Sequence, residues 1–317
     1  MPKALISGVT GQTGSYLAKL LLESGYRVFG ASRDAATADL SRLKILGVHD
    51  SVELISLAPA DFRSVLKCIN DVRPDHIYNL SGQTSVGLSF EQPYEAFESI
   101  ATGSLNFLEA IKLTQSNAKF FNAGSTECFG SYPEGYFTED SAMQPMSPYA
   151  VAKCASFWTT KNYRNAYGIF ACSGILSNHE SPLRPDRFVT SKIVSSVRSV
   201  KAGSIKKFRL GNLLVSRDWG WAPDYAKAIK LVLESDVPDD YIIATGKVHS
   251  LGEFVNGICK LADLNPDSII EFDVSLTRPS DLIVATPSPE KIRTTLGWEP
   301  TVNFDEMLQK LYCGALF

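Results

Sequence analysis

The 317-residue sequence has no apolar stretch approaching a membrane span, no marked excess of charge, no CxxC pair and only four histidines. Without about 20 consecutive apolar residues the chain does not read as an integral membrane protein. The 31 basic and 34 acidic residues are scattered and leave a net charge of −3. That balance gives no electrostatic footprint for nonspecific binding to nucleic acid or a membrane surface. An anionic ligand must then be held by locally placed cations. The six cysteines (Cys68, Cys128, Cys154, Cys172, Cys259 and Cys313) are widely separated, and no histidine stands at metal-ligand spacing. A disulfide framework and a metal site are both disfavoured, and buried free thiols are expected. His49, His76 and His249 read as structural or surface groups. The N-terminus lacks the basic and long apolar regions of a signal peptide and runs directly into the apolar Ala4–Ile6, so a cytoplasmic location is expected.

What is present is a globular composition, 44% hydrophobic and 21% charged, in a length suited to one large domain or two interleaved subdomains. Short β-type runs at Lys3–Ser7, Arg27–Ser32, Glu53–Leu57, His76–Leu80, Lys119–Ala123 and Ile169–Leu176 alternate with helical patterns. The helical patterns cover Ser15–Glu23, Asp61–Val72, Tyr94–Leu113 and Tyr149–Ala166. This alternation predicts an α/β fold with a doubly wound parallel sheet of the Rossmann type. After Leu176 the regularity breaks at Pro182 and Pro185. A helix at Phe188–Lys201, a strand at Lys207–Leu210, a strand at Tyr241–Ala244 and a helix at Leu251–Ala262 follow, and Thr277–Pro289 is punctuated by proline. The expected division is a dinucleotide-binding domain over 1–176, with segments near 207–245 returning to it. Residues 177–317 mainly form a smaller, partly interleaved α/β substrate subdomain.

The first strand runs into Gly8-Val9-Thr10-Gly11-Gln12-Thr13-Gly14 and then a helix. Glycines there permit a sharp turn, close backbone approach to a pyrophosphate and tight helix–strand packing, while the helix N-terminus supplies amide donors. Gly8, Thr10, Gly11, Gln12 and Gly14 are therefore candidate cofactor contacts. Ser32 and Arg33 end the second strand, where an acidic residue would pair with a free ribose 2′-hydroxyl. A cation and a hydroxyl there suit a 2′-phosphate and favour NADP, while Asp34 immediately after keeps NAD open.

In Ser147–Lys153 (SPYAVAK), Tyr149 and Lys153 stand four apart on one helix face. A phenol titrating near 10 must be brought down to serve as a base at neutral pH, and a neighbouring ammonium does this. The fifth strand ends in Ser125-Thr126-Glu127 at the carboxyl edge of the sheet, where such folds bind ligands. Ser125 can hydrogen-bond a sugar hydroxyl, and Glu127 can act as acid and base at the adjacent carbon.

Taken together, these residues resemble the extended short-chain dehydrogenase/reductase superfamily and, within it, the GDP-mannose 4,6-dehydratase family. The resemblance extends through Asn162–Gly168 (NYRNAYG), Gly174–Pro182 (GILSNHESP), Phe188–Thr190 with Lys192, Arg217–Gly220 (RDWG) and Arg278-Pro279. It implies an internal redox cycle at a hexose. Tyr149 takes the C4 hydroxyl proton as hydride passes to NADP⁺, Glu127 removes the C5 proton, water leaves from C6 and the hydride returns to C6. It further implies that Asn178, Lys192, Arg217 and Arg278 contact a nucleotide diphosphate. By the same resemblance the Asn79–Val86 loop lies along cofactor and sugar, with Leu80 toward the cofactor and Ser85 toward the sugar. His179 is expected to be structural.

Several departures from the family stand out. Ser125 occupies a position usually held by Thr and shared with the related 4-keto-6-deoxymannose reductases. Thr13 replaces an Asp, Ala58 replaces an Asp, and Ser191 replaces an Arg. The arginine-rich stretch after strand two is reduced to Arg33 and Arg42, which bears on tetramer formation. The chain thus reads first as a dehydratase acting on GDP-mannose or a close GDP-sugar such as a GDP-heptose. A 4-keto-sugar reductase or epimerase is the alternative. A noncatalytic NADP-binding regulator is a third reading, against which the intact Ser/Tyr/Lys set speaks. The expected partners are a GDP-linked nucleotide sugar and further copies of the chain, as a homodimer or homotetramer, with no nucleic acid and no membrane.

Overall fold

The computed structural model describes residues 1–276, 280 and 282–317. Seven strands form the main sheet: β1 (Lys3–Ser7), β2 (Arg27–Ser32), β3 (Val52–Ser56), β4 (His76–Asn79), β5 (Lys119–Ser125), β6 (Ala171–Leu176) and β7 (Tyr241–Ile243). All neighbours are parallel, in the order β3-β2-β1-β4-β5-β6-β7. In β1, side chains alternate between faces: Ala4 and Ile6 enter one hydrophobic core and Leu5 the other. Both faces are covered, which is why the strands read as nearly continuous apolar runs.

The long helices are α1 (Gln12–Glu23), α2 (Phe62–Val72), α3 (Gly103–Leu113), α4 (Pro148–Tyr167), α5 (Val189–Lys201), α6 (Ala222–Glu234), α7 (Leu251–Leu261) and α8 (Phe304–Cys313). Tyr16 and Leu17 of α1 join Ala226 and Ile229 of α6 in one core, while Val65 and Ile69 of α2 join Phe107 and Leu108 of α3 in the other. A third core, with Ile193, Trp219, Phe254 and Leu308, holds α5, α7 and α8 together over the smaller region. That region contains a three-stranded sheet, Asn178–Glu180 beside Ser216–Trp221 beside Val248–Ser250.

Several elements differ from the sequence expectation. The first helix starts at Gln12 because Gly11 serves as its N-cap in extended conformation. The expected helix over Tyr94–Leu113 is broken into Pro93–Phe97, a π-turn at Glu98–Thr102, and α3. Within 207–245, α6 packs on the main sheet and β7 extends it. Phe208–Leu210 instead pairs with Ile270–Phe272, and Ser216–Trp221 pairs with Asn178–Glu180. All six cysteines are free. Cys68, Cys128, Cys172 and Cys259 are buried as expected, but Cys154 is half-buried and Cys313 exposed. Among the described residues no helix is long and apolar enough to cross a membrane, and no His/Cys/Asp/Glu group could hold a metal ion.

Candidate active site

The strand order reverses between β1 and β4, and the carboxyl ends of these two strands open onto a cavity of about 460 Å³. Gly8 turns there with φ +87°, and a Cβ on it would stand 2.9 Å from Leu80 O. A Cβ on Gly14 would meet Gly8 O at 2.3 Å. At Gly8 and Gly14 a side chain would collide with backbone, which gives the sharp turn and close helix–strand packing of a pyrophosphate-binding cradle. Gly11 brings no side-chain acceptor to the first turn of α1, so that turn's amides and the positive end of the helix dipole are available to an anion. The residues present fit a dinucleotide.

Other groups hold the cradle from behind. Gln12 donates to His179 O (2.9 Å) and accepts from Ser181 Oγ (2.8 Å). The His179 ring is stacked 4.6 Å from that of Tyr225. Burial, with the Arg184 charge adding to it, lowers its pKa to about 4, so the ring is neutral at pH 7. Its Nδ1 faces Ser177 O at 2.9 Å and must carry the proton, which leaves Nε2 to accept the Thr13 hydroxyl at 2.7 Å. Arg42 donates to Thr10 O (3.1 Å) and Leu183 O (2.8 Å). Its guanidinium therefore fastens the glycine loop to the 177–184 segment.

Ser125, Glu127, Tyr149 and Lys153 all line the cavity. α4 starts at Pro148, with Ser147 capping the Ala150 amide at 3.1 Å. Pro at the first helical position and Ser before it are a strong local start signal, and they present Tyr149 and Lys153 from the first turns. Burial pushes the Tyr149 phenol well above its usual range, an effect opposed by its hydrogen bond with Ser125. Burial likewise brings Lys153 down from 10.5 to about 8, which leaves it mostly charged at pH 7. Its Nζ donates to Ala123 O at 2.6 Å and lies 5.7 Å from the Tyr149 ring centre. Glu127 donates its backbone N–H to Ser125 Oγ (3.3 Å), and its carboxylate lies 3.5 Å from Arg217 Nε.

On the far wall the smaller region contributes Asn178, Lys192 and Arg217. The Arg217 strand is held by the buried Asp218, which accepts from Ser177 Oγ (2.7 Å) and from the backbone amides of Thr245, Gly246 and Lys247. Ser85 caps the short helix Val86–Glu91 and also faces the cavity, as does Leu80.

Of the residues selected from sequence, Thr10, Ser32 and Arg33 do not line the cavity, and Arg278 lies outside the described residues. Arg33 is exposed at the end of β2, while Asp34 turns back onto its own loop to accept from Ala36 N (2.9 Å) and Thr37 Oγ1 (2.8 Å). Sequence reasoning missed Arg184 and Arg187, both in the cavity wall. Their guanidiniums lie 4.1 Å and 5.0 Å from the centre of the Phe188 ring. The signal available was the arginine-bearing loop around Pro182 and Pro185, which holds Arg184 between the prolines and Arg187 just after them.

Comparison with known proteins agrees with this geometry. The family model described as GDP-mannose 4,6 dehydratase matches residues 5–311. The chain belongs to that family. It is 40% identical over 318 residues to GDP-mannose 4,6 dehydratase 2 of Arabidopsis thaliana, covering 97% of this chain and 85% of the relative. To the human GDP-mannose 4,6 dehydratase it is 36% identical over 336 residues, covering 97% and 90%. Among solved structures, the UDP-glucose 4-epimerase of Thermus thermophilus in complex with NAD superposes with a TM-score of 0.85. The two are 26% identical, with 99% of this chain and 100% of that one covered.

Proposed function

We propose that this family member is a GDP-mannose 4,6-dehydratase that uses NADP and carries out a hydride-neutral dehydration in the cytoplasm. The observation that carries the reading is the convergence of Ser125, Glu127, Tyr149 and Lys153 on one cavity whose other walls bear a dinucleotide cradle and Lys192 and Arg217. Held by the glycine loop and facing Tyr149 and Lys153, NADP⁺ would supply the hydride acceptor, the returning hydride and a positive charge.

The chain's own residues supply the rest. Ser125 holds the C4 hydroxyl while Tyr149 removes its proton. The phenol's raised pKa in the protein alone makes a nearby cation necessary, and Lys153 provides one. Glu127 takes the C5 proton and returns a proton to the departing C6 hydroxyl, with the Arg217 guanidinium 3.5 Å from its carboxylate. Asn178, Lys192, Arg217 and Arg278 hold the diphosphate, and Ser85 the sugar. Gly8, Gly11, Gln12, Gly14 and Leu80 form the dinucleotide site, with the Thr10 carbonyl held by Arg42 behind it. Ser32 and Arg33 favour a 2′-phosphate, because Asp34 is committed to its own loop and does not face a free 2′-hydroxyl. Exposed Leu105 on α3 and Val151 and Trp158 on α4 support assembly through these helices as a homodimer or homotetramer. The free thiols suit a reducing compartment.

Incubation with GDP-mannose and catalytic NADP⁺ is expected to give a 4-keto-6-deoxy product without accumulation of NADPH. Stoichiometric NADPH consumption with a 4-keto sugar would instead identify a reductase, the activity whose enzymes share Ser125.

A further inference from the structure

The first turn of α4 has an unusual amide arrangement. Pro148 has no N–H, the Ala150 N–H donates to Ser147 Oγ at 3.1 Å, and the Val151 N–H donates to Ser147 O at 2.9 Å. The Tyr149 N–H lies too early in the helix for an intrahelical acceptor. It donates to Ser89 Oγ at 3.1 Å, from a residue 60 positions earlier. Ser89 is 0% exposed, so no water competes for this bond.

The same hydroxyl gives its single proton to Val86 O at 2.7 Å. Having donated there, it can meet the Tyr149 N–H only as an acceptor, and the two bonds together fix its rotor. The Val86 side chain packs with Ile100 and Ala152 against Tyr149. One hydroxyl therefore reaches Tyr149 by two routes, through its backbone amide and through Val86, which packs on the cluster that contains it. Ser85, next to Val86, faces the cavity.

We infer that Ser89 is a positioning residue for the reaction: its two hydrogen bonds fix Tyr149 relative to Lys153 and the sugar, and couple the Ser85 loop to the base. Its removal strands the Tyr149 N–H in a buried contact and frees the phenol to drift. Displacement of about 1 Å at a reacting group costs on the order of 100-fold in rate. The glycine cradle stands apart from this contact, and cofactor binding should be spared.

The kcat arm of the test rests on the dehydratase reading, and the titration arm does not. In the NADP⁺ complex, the Tyr149 phenol is titrated by ultraviolet absorbance difference against Tyr149→Phe. Ser89→Ala is expected to raise the apparent pKa of that phenol and to lower kcat on GDP-mannose by about 10- to 100-fold. NADP⁺ affinity and KM should stay within about threefold of wild type, the signature of a lost transition-state interaction. Ser89→Cys, which keeps the side-chain volume and a weaker donor, should fall between the two and carries the test if the alanine variant is insoluble. A phenol titration unchanged in the variant, or a kcat loss matched by an equal loss of NADP⁺ affinity, overturns the inference. Wild-type protein that leaves GDP-mannose unconverted defeats the dehydratase reading alone, and the titration still decides the role of Ser89.

Discussion

Replacing Lys153 by Met should remove activity and stabilise the fold at neutral pH. The ammonium is 6% exposed, and burial lowers its pKa from 10.5 to about 8. A folded value below the unfolded one means that the unfolded chain binds more protons between these limits, so stability rises with pH through that window. Below pH 8 the full penalty of about 3 kcal/mol opposes folding, and at pH 9.5 about 1 kcal/mol remains. Methionine escapes this penalty but leaves Ala123 O without the donor now at 2.6 Å, a loss of about 1–2 kcal/mol. The variant should therefore be more stable than wild type by about 1–2 kcal/mol at pH 7 and nearly equal to it at pH 9.5. Urea unfolding of both proteins without cofactor, at the two pH values, measures the difference and cancels every other titrating group. A gap between the proteins that does not change with pH, or that widens at pH 9.5, would refute the assignment of a strained ammonium at this position.

Three further outcomes are expected. Glu127→Gln should retain nucleotide-sugar binding but stop exchange of the C5 hydrogen with solvent deuterium, read by mass spectrometry; undiminished exchange would remove Glu127 from the mechanism. Arg33→Ala should weaken NADP⁺ binding by about 10- to 100-fold, the worth of a charged hydrogen bond, and leave NAD⁺ affinity unchanged in calorimetry. An equal loss for both dinucleotides would place Arg33 away from the 2′-phosphate. Gly14→Ala puts a Cβ 2.3 Å from Gly8 O, and NADP⁺ binding should fall below detection; wild-type affinity would mean that the loop is not the cradle described.

The first half of the fold was legible because β1 to β5 are short runs rich in apolar residues, each followed by a break and then a helix. The glycine loop, the Pro148 helix start and the Tyr149/Lys153 spacing are likewise local, and local signals survive in a single sequence. The second half resisted the same treatment. Strands expected at Lys207–Leu210 and Tyr241–Ala244 are found at Phe208–Leu210 and Tyr241–Ile243, but Val248–Ser250 is only three residues long and no period of two registers there. α6 is absent from the sequence-based helices although Pro223 lies in its first turn and eight of its side chains are buried. What no local pattern carries is contact between distant segments: Arg42 on Thr10 and Leu183, Thr13 on His179, Ser89 on Tyr149. Each joins residues 32 to 166 positions apart, and the side chains involved have ordinary surface-type identities.

The fastening of the glycine loop through Gln12, Thr13 and Arg42 has a consequence for turnover. Those bonds tie the dinucleotide side of the cleft to the start of the smaller region, so the two cannot part there without breaking several at once. Most dehydrogenases must release their nicotinamide after every round and need a jaw that opens at that point. An enzyme that hands its hydride back to the same sugar has no such need. Its cofactor can remain as a resident tenant through many cycles while only the sugar nucleotide comes and goes, past the Lys192 and Arg217 wall on the opposite side.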